Sequence, residues 1–310
     1  MSIKIFGHQN PDTDSITSAI VLAELESKLG NDATAYRLGE INPETAYALN
    51  YFNIDAPELL DSVIEEDTVM LVDHNEFQQS APGIESATIL AVIDHHRVAN
   101  FETNVPLYFR AEPVGCTATV LYKIFSENNI EVSRECAGLM MSAIISDTLL
   151  LKSPTTTEQD EKTLYLLSEI ADVNLEVYGL EMLKAGASTK DKTAEALING
   201  DAKTFEMDNR SVRIAQVNVV DVDELFERKD ELIEAINKEI DANEYDLFTL
   251  VVTNILESDS KVLALGEHHG VIEKAFDVSL EDNMALLEGV VSRKKQVVPN
   301  IEKAFASLYE

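Results

Sequence analysis

Four of the six histidines in the chain stand close to aspartates: His8 with Asp12 and Asp14, His74 after Asp73, and His95 and His96 after Asp94. Each group follows a short apolar run of β-forming residues: 3 to 6 (IKIF), Thr68 to Val72, and Ala87 to Ile93. Imidazole mixed with several carboxylates is a donor set for a borderline-hard divalent ion such as Mn²⁺, Co²⁺ or Zn²⁺; oxygen donors alone would suit Mg²⁺ or Ca²⁺. Mn²⁺ is the expected ion. Two such ions held close together need an anion between them, and a carboxylate like Asp73 can give one oxygen to each while offsetting their repulsion. Taken singly, an aspartate after a strand is ordinarily a cap or turn residue, and Asp12 in NPDTD would suit a turn after Pro11. A strand-end HxxxDxD, a second strand-end Asp and a strand-end DHH in one chain together outweigh that reading.

These groups must be brought together by a scaffold. The run 3 to 6 is followed by a loop from Gly7 to Asp14, then by Ile16, Ala19, Ile20 and Ala23 at helical spacing, with Gly30 as a stop. Further helical stretches are predicted at Pro43 to Phe52, Thr117 to Asn128 and Cys136 to Ile145. Strands alternating with helices predict an α/β fold: a doubly wound, largely parallel sheet covered on both faces. Ligands of such a sheet bind beyond the carboxyl ends of its strands, where all three histidine groups fall. From about Leu180 the texture changes, and the polar stretch 184 to 193 (KAGASTKDKT) suits a linker. The predicted organisation is a catalytic domain at 1–186, a linker and hinge at 187–193, and a smaller mixed α/β domain at 194–310. In the latter, strands are expected at Val212 to Val219, Leu247 to Thr253 and Val262 to Leu265, with one long charged helix from Val222 to Ala242.

Composition narrows the partners. At 310 residues and 45% apolar content, two cored domains are expected. A net charge of −32 argues against a nucleic-acid partner, because grip on phosphate backbones comes from clustered Lys and Arg. The first residues lack a basic segment followed by a long apolar run, and no window approaches a membrane span, so a cytoplasmic protein without a membrane partner is expected. Cys116 and Cys136 lack metal-ligand spacing and read as small buried residues. Gly115, Cys116 and Thr117 could lend backbone N–H groups at a helix start to a phosphate, or could simply enter a helix. His268 and His269, between glycines and without an adjacent aspartate, read as structural or exposed.

The motifs GHQNPDTDS (7 to 15), VDHNE (72 to 76), DHHRVANFE (94 to 102), EPVGCTATVLY (112 to 122), ISDT (145 to 148), DAKTF (201 to 205) and SRKKQVVP (292 to 299) together resemble the DHH phosphoesterases, and within them the family II, manganese-dependent inorganic pyrophosphatases. The resemblance spans nearly the whole chain. It implies an active site in the cleft between two domains, with one ion on His8, Asp12 and Asp73 and a second on Asp14, Asp73, His95 and Asp147. It implies that His96 contacts phosphate and takes part in protonating the leaving group, with Asp94 orienting an imidazole. Lys203, Arg293 and Lys294 are implied as the cations that bind substrate, and their chemistry suits it: Arg offers a planar fork to phosphate oxygens, Lys a point charge. The implied reaction is hydrolysis of pyrophosphate by a metal-activated hydroxide, with two Mn²⁺ per subunit, Co²⁺ or Mg²⁺ as substitutes, Mg²⁺ arriving with the substrate, hinge motion at Ser188 to Thr193, and a homodimer. The nearest rivals are an exopolyphosphatase, an oligonucleotide-end exonuclease or a nucleoside-bisphosphate phosphatase of the same superfamily, but the sequence lacks the glycine-rich GGGH-type motif of the nucleases. A regulator or scaffold that kept the fold without turnover is a rival of another class, and the intact motifs argue against it.

Overall fold

A computed structural model describes residues 2–307. Met1, at the head of the first expected strand, and residues 308–310, at the end of the second half, lie outside the described residues. The chain divides into two compact units, Met1–Gly186 and Ala187–Glu310.

The first unit runs β1 (Ile3–Phe6), α1 (Thr13–Lys28), β2 (Ala33–Arg37), α2 (Pro43–Tyr51), β3 (Glu58–Leu59), β4 (Thr68–Val72), β5 (Thr88–Asp94), β6 (Tyr108–Ala111), α3 (Thr117–Glu127), α4 (Arg134–Thr148), α5 (Glu158–Ala171) and α6 (Leu175–Gly186). Its six strands lie in the order β3-β2-β1-β4-β5-β6, all parallel. Chain direction across the sheet reverses between β1 and β4, which makes the gap beyond their carboxyl ends the topological switch point. The residues leaving those two strands are Gly7 and His8, and Asp73.

Both faces of this sheet are covered, though not both by helices. Alternate residues of the central strands split as the two-residue period of a strand requires. Phe6, Val69, Leu71 and Val92 pack with Val63, Ala81 and Ile84, which come from crossovers flanking β4 and β5 that hold no α-helix, only a short 3-10 turn at Phe77–Gln79. The other face packs against α1 and α3, with α4 and α5 behind them. Helix starts follow local rules: Asp12, Asn42, Ser133 and Thr157 each cap a helix by accepting a backbone N–H, and Pro43 stands in the first turn of α2.

The second unit contains α7 (Ala194–Gly200), β7 (Ala202–Met207), β8 (Arg210–Val219), α8 (Val222–Phe226), α9 (Lys229–Asn243), β9 (Leu247–Asn254), β10 (Asp259–Leu265), α10 (Val271–Phe276), β11 (Met284–Leu287), one π turn at Arg293–Val297, and α11 (Val298–Ala306). The sheet order is β11-β10-β9-β8-β7, antiparallel except for the parallel β8–β9 pair. β9 is buried on both faces: Leu247 and Val251 join one core, Phe248, Leu250 and Val252 the other.

Two expectations need correction. The single charged helix over 222 to 242 is two helices, broken at Glu227 and Arg228. The break aims the Arg228 guanidinium at the carbonyls of Thr189 and Lys192 (3.3 and 2.9 Å) and at Glu231, a tertiary pull that helical periodicity does not report. The polar stretch from 184 is also partly ordered: residues 184 to 186 finish α6, and 187 to 193 are non-helical, tied by Arg228 to the second unit. No described helix is long and apolar enough to cross a membrane.

Candidate metal centre

Four local devices present the side chains. β1 runs into Gly7, where a Cβ would come within 1.9 Å of Ser15 Oγ. Only glycine lets the strand exit pass so close to the start of α1, and this places His8 beside Asp12. Asp73 leaves β4 in the left-handed region (φ +59°), an uncommon conformation outside glycine that turns its carboxylate across the end of the sheet. Asp94, the last residue of β5, folds its Oδ1 back onto the N–H groups of His95 and His96 at 2.8 and 3.0 Å, so both imidazoles leave a fixed turn. Asp147 comes from the last turn of α4.

The geometry centres on Asp73, whose side chain is 1% exposed. Its Oδ2 lies 3.3 Å from His8 Nε2, which is also 3.5 Å from Asp12 Oδ2. Its Oδ1 lies 3.3 Å from His95 Nε2 and 3.6 Å from His96 Nδ1. The two oxygens of one carboxylate therefore face two different imidazole sets. Asp147 Oδ2 is 3.9 Å from His95 Nε2. Asp14, fully buried, accepts from Ser18 Oγ and from the Thr117 N–H, both at 2.7 Å. Donor atoms fall into three groups, each within 4.8 Å: His8, Asp12 and Asp73; Asp73, His95 and His96; and Asp14, Cys116 and Asp147.

Electrostatics show what is needed here. Burial opposes charge on His8, but Asp12 and Asp73 outweigh it and push the imidazole up to about 10. His95 is likewise opposed by burial yet carried up to about 9 by Asp73 and Asp14. Asp14 is pushed up to about 7 by burial and then by the charge of Asp73, and Asp147 is raised well above the carboxylate range by burial, Asp14 and Asp73. Burial works against the Asp73 carboxylate too, but its two imidazole neighbours hold it below the usual range. Ionised, the four carboxylates Asp12, Asp14, Asp73 and Asp147 carry a formal charge of −4 in close quarters. Two divalent ions would balance that charge exactly in number. Asp147 Oδ2 is buried without a hydrogen-bond partner, a costly condition for a carboxylate oxygen unless a cation meets it. The donor set fits Mn²⁺, being a mixture of imidazole nitrogen and carboxylate oxygen.

His74 stands apart from the other three histidines of the motif groups. Its ring bonds the Val72 carbonyl and Ser80 Oγ at 2.9 and 3.0 Å, and burial lowers it to about 4, which makes it a neutral internal strut. His96 is half exposed; its Nδ1 bonds Asp94 Oδ1 at 2.9 Å, and that bond raises it despite partial burial. Asp94 is held by Asn75 as well (2.6 Å).

The suggested phosphate cradle at 115 to 117 is corrected. The Gly115 N–H donates to Asp160 Oδ2 (2.8 Å) and the Thr117 N–H to Asp14 Oδ2, so both donors are committed to carboxylates. Cys116, read from sequence as a plain buried residue, lies in the Asp14–Asp147 group; Cys136 is buried and free. Thr117 is legible in the sequence only as a possible backbone donor at a helix start, and Asp160, 45 residues beyond Gly115, carries no signal there.

In the second unit, Arg293 is drawn to the head of β7: its guanidinium bonds the Asp201 carbonyl and carboxylate, the latter at 2.7 Å. Lys203, exposed, stands two residues along that strand, and Lys294 is exposed beside Arg293. Residues 90 positions apart are thus gathered on one edge of this unit. His268 accepts from Arg210 Nε at 3.2 Å and His269 bonds the Gly266 carbonyl, structural roles with no carboxylate cluster.

Residues 2–144 match the DHH family N-terminal domain, and residues 180–304 match the DHHA2 domain. A Staphylococcus epidermidis protein named "Probable manganese-dependent inorganic pyrophosphatase" is 60% identical over 299 residues, 96% of each chain. An Enterococcus faecalis protein of the same name is 56% identical over 304 residues, 98% of this chain and 99% of its own. The crystal structure of a Methanococcus jannaschii protein assigned to the family II inorganic pyrophosphatases superposes with a TM-score of 0.62 at 41% identity, covering 98% of this chain and 100% of that one. With both halves matched by their family models and relatives at this identity along nearly its whole length, the chain belongs to the DHH family and, within it, to the manganese-dependent, family II inorganic pyrophosphatases.

Proposed function

We propose that the protein hydrolyses inorganic pyrophosphate to two orthophosphates, using two Mn²⁺ per chain. The observation that carries this reading is the two-sided Asp73, with one oxygen toward His8 and Asp12 and the other toward His95. His8, Asp12 and Asp73 would hold one ion; Asp14, Asp73, His95 and Asp147 would hold the other, with Asp73 shared. When bound, such ions supply Lewis acidity and lower the pKa of water from 15.7 toward ~7, which provides a hydroxide nucleophile at neutral pH.

The chain's own groups do the rest. His95 gives its Nδ1 proton to the Val114 carbonyl at 3.1 Å, which leaves Nε2 as its ligating atom. Asp94 holds His96 through Nδ1 and raises its affinity for a proton, so Nε2 is placed to contact a phosphate oxygen and deliver a proton to the departing orthophosphate. Lys203, Arg293 and Lys294, with Mg²⁺ brought by the substrate, offset the phosphate charge that builds as the bridging bond breaks. Arg293 is pre-aimed by Asp201, which lowers the ordering cost of its fork.

Purified protein supplied with Mn²⁺ should release orthophosphate rapidly from pyrophosphate and poorly from tripolyphosphate, ATP or dinucleotides, with two manganese per chain by metal analysis. Absence of pyrophosphate turnover would sink the reading; faster attack on longer polyphosphates would move it to the exopolyphosphatases. The same reading places the enzyme in the cytoplasm as a homodimer without nucleic-acid or membrane partners. Light scattering on the eluting protein tests the dimer, and a monomer would remove it.

A further inference from the structure

The four groups assigned to the second ion come from four different elements: the start of α1, the exits of β4 and β5, and the end of α4. One four-residue strap, Val114 to Thr117, meets all of them. The Val114 carbonyl accepts from His95 Nδ1 at 3.1 Å. Cys116 Sγ lies within 4.8 Å of the Asp14 and Asp147 oxygens. The Thr117 N–H donates to Asp14 Oδ2 at 2.7 Å, and its Oγ1 donates to Asp73 Oδ1, the oxygen facing His95, at 3.2 Å. His8 and Asp12 have no bond to the strap among the described contacts.

The strap is more than a helix entry. Cys116, at the cap position of α3, makes no side-chain cap bond, and the Thr117 N–H, one of the donors a helix start leaves unpaired, goes to a metal-site carboxylate. Behind the strap stands Asp160, completely buried in α5. Its Oδ2 accepts from the Gly115 N–H at 2.8 Å and from Thr157, while its Oδ1 accepts from Thr119 Oγ1 at 2.7 Å. A Cβ on Gly115 would come within 2.8 Å of that carboxylate, so the fit requires glycine.

We propose that Thr117 and Asp160 are positioning residues for one ion of the pair, the one on Asp14, Asp73, His95 and Asp147, because the strap they anchor bonds three of its ligands and comes within 4.8 Å of the fourth. The proposal rests on the two-ion reading above. Groups that orient ligands in this way contribute on the order of 10–100-fold in metal affinity, and the effect should fall on one ion and spare the other.

The test is calorimetric titration of metal-free full-length protein with Mn²⁺, with free Mn²⁺ followed by its paramagnetic resonance. Wild type should bind two ions. Thr117→Val keeps shape and backbone N–H but removes the hydroxyl; it should bind one ion with wild-type affinity and the other on the order of 10–100-fold more weakly. Thr117→Ser restores the hydroxyl and should recover both. Asp160→Asn should weaken the same ion as Thr117→Val, and Thr119→Val, which deletes a single bond to Asp160, serves if Asp160→Asn fails to fold. A wild type that binds fewer than two ions overturns the two-ion reading itself. Two ions in wild type with unchanged affinity in both Thr117→Val and Asp160→Asn, equal weakening of both ions, or failure of Thr117→Ser to recover binding each overturns the positioning role.

Discussion

Asp147→Asn should stabilise the protein stripped of metal and weaken it when manganese is supplied. Asp147 Oδ2 is buried without a hydrogen-bond partner, and its carboxylate group lies within 4.8 Å of the Asp14 donor atom. Two like charges at that distance repel by roughly 3–4 kcal/mol at an effective dielectric constant of 20. Burial, Asp14 and Asp73 raise Asp147 well above the ordinary carboxylate range, so part of this repulsion is already relieved by proton uptake. The net gain from an uncharged isostere in EDTA is then about 1–2 kcal/mol, which corresponds to a rise of roughly 2–8 °C in Tm for a unit of this size. With Mn²⁺ the order inverts. Ions bound at 1,000 times Kd stabilise the native state by about 4 kcal/mol each, and the variant forfeits most of that for one ion. The assay is a pair of thermal melts, wild type against Asp147→Asn, first in EDTA and then in excess Mn²⁺. A variant less stable than wild type in EDTA would refute the claim that this carboxylate is held in place against electrostatic repulsion for the sake of a cation.

Arg293→Lys should raise KM for pyrophosphate roughly tenfold or more, about 1.4 kcal/mol, since a point charge cannot hold Asp201 and a phosphate with one planar fork; unchanged KM would remove Arg293 from substrate binding, and manganese stoichiometry should stay at wild type. Gly138→Ala puts a Cβ 2.2 Å from the Phe52 ring, itself 3% exposed and packed against Tyr51 and Tyr178. Overpacking of about 3 kcal/mol exceeds the gain of about 1 kcal/mol in helix propensity, so Tm should fall, and Phe52→Leu should restore much of the loss in the double variant. Glu112 has its affinity for protons opposed in two directions: burial raises it, but Lys123 and Arg110 prevail and lower it. A depressed acid stabilises the fold above its unfolded value of 4.5 and loses that contribution as pH falls. Glu112→Gln should therefore cost up to about 1 kcal/mol at pH 7, and urea melts should show the difference vanish as the pH drops below the carboxylate range; a constant difference would contradict the ion-pair origin.

The centre was legible in the sequence because its signals are local. A strand pattern that stops at His8, at Asp73 or at Asp94 places those residues at strand ends, and parallel strands put all such ends on one side of a sheet. His8, Asp73 and His95 stand at those strand ends and Asp12 and Asp14 at the start of α1, whereas Asp147, at the end of α4, is named only through the family resemblance. What periodicity could not report are contacts between distant segments. His74 carries the same DH signature as His95, but its ring turns inward to Ser80, a choice made by rotamer and packing. The break at Arg228 answers carbonyls nearly 40 residues away. That one face of the first sheet is covered without α-helices was hidden because crossovers without helical period still carry the apolar Val63, Ala81 and Ile84.

By itself, then, the sequence determined which chemistry was available: residue type sets donor softness and charge, and short-range pattern sets which strand or helix end presents each donor. Tertiary structure alone decided how those donors divide. It turned Asp73 into the left-handed region so that its two oxygens face different imidazoles, and it brought Asp160 from 45 residues away to hold the strap at Gly115. The division depends on directions of carboxylate lone pairs and on hydrogen bonds across long chain separations, and neither is encoded in the spacing of residues along a single segment.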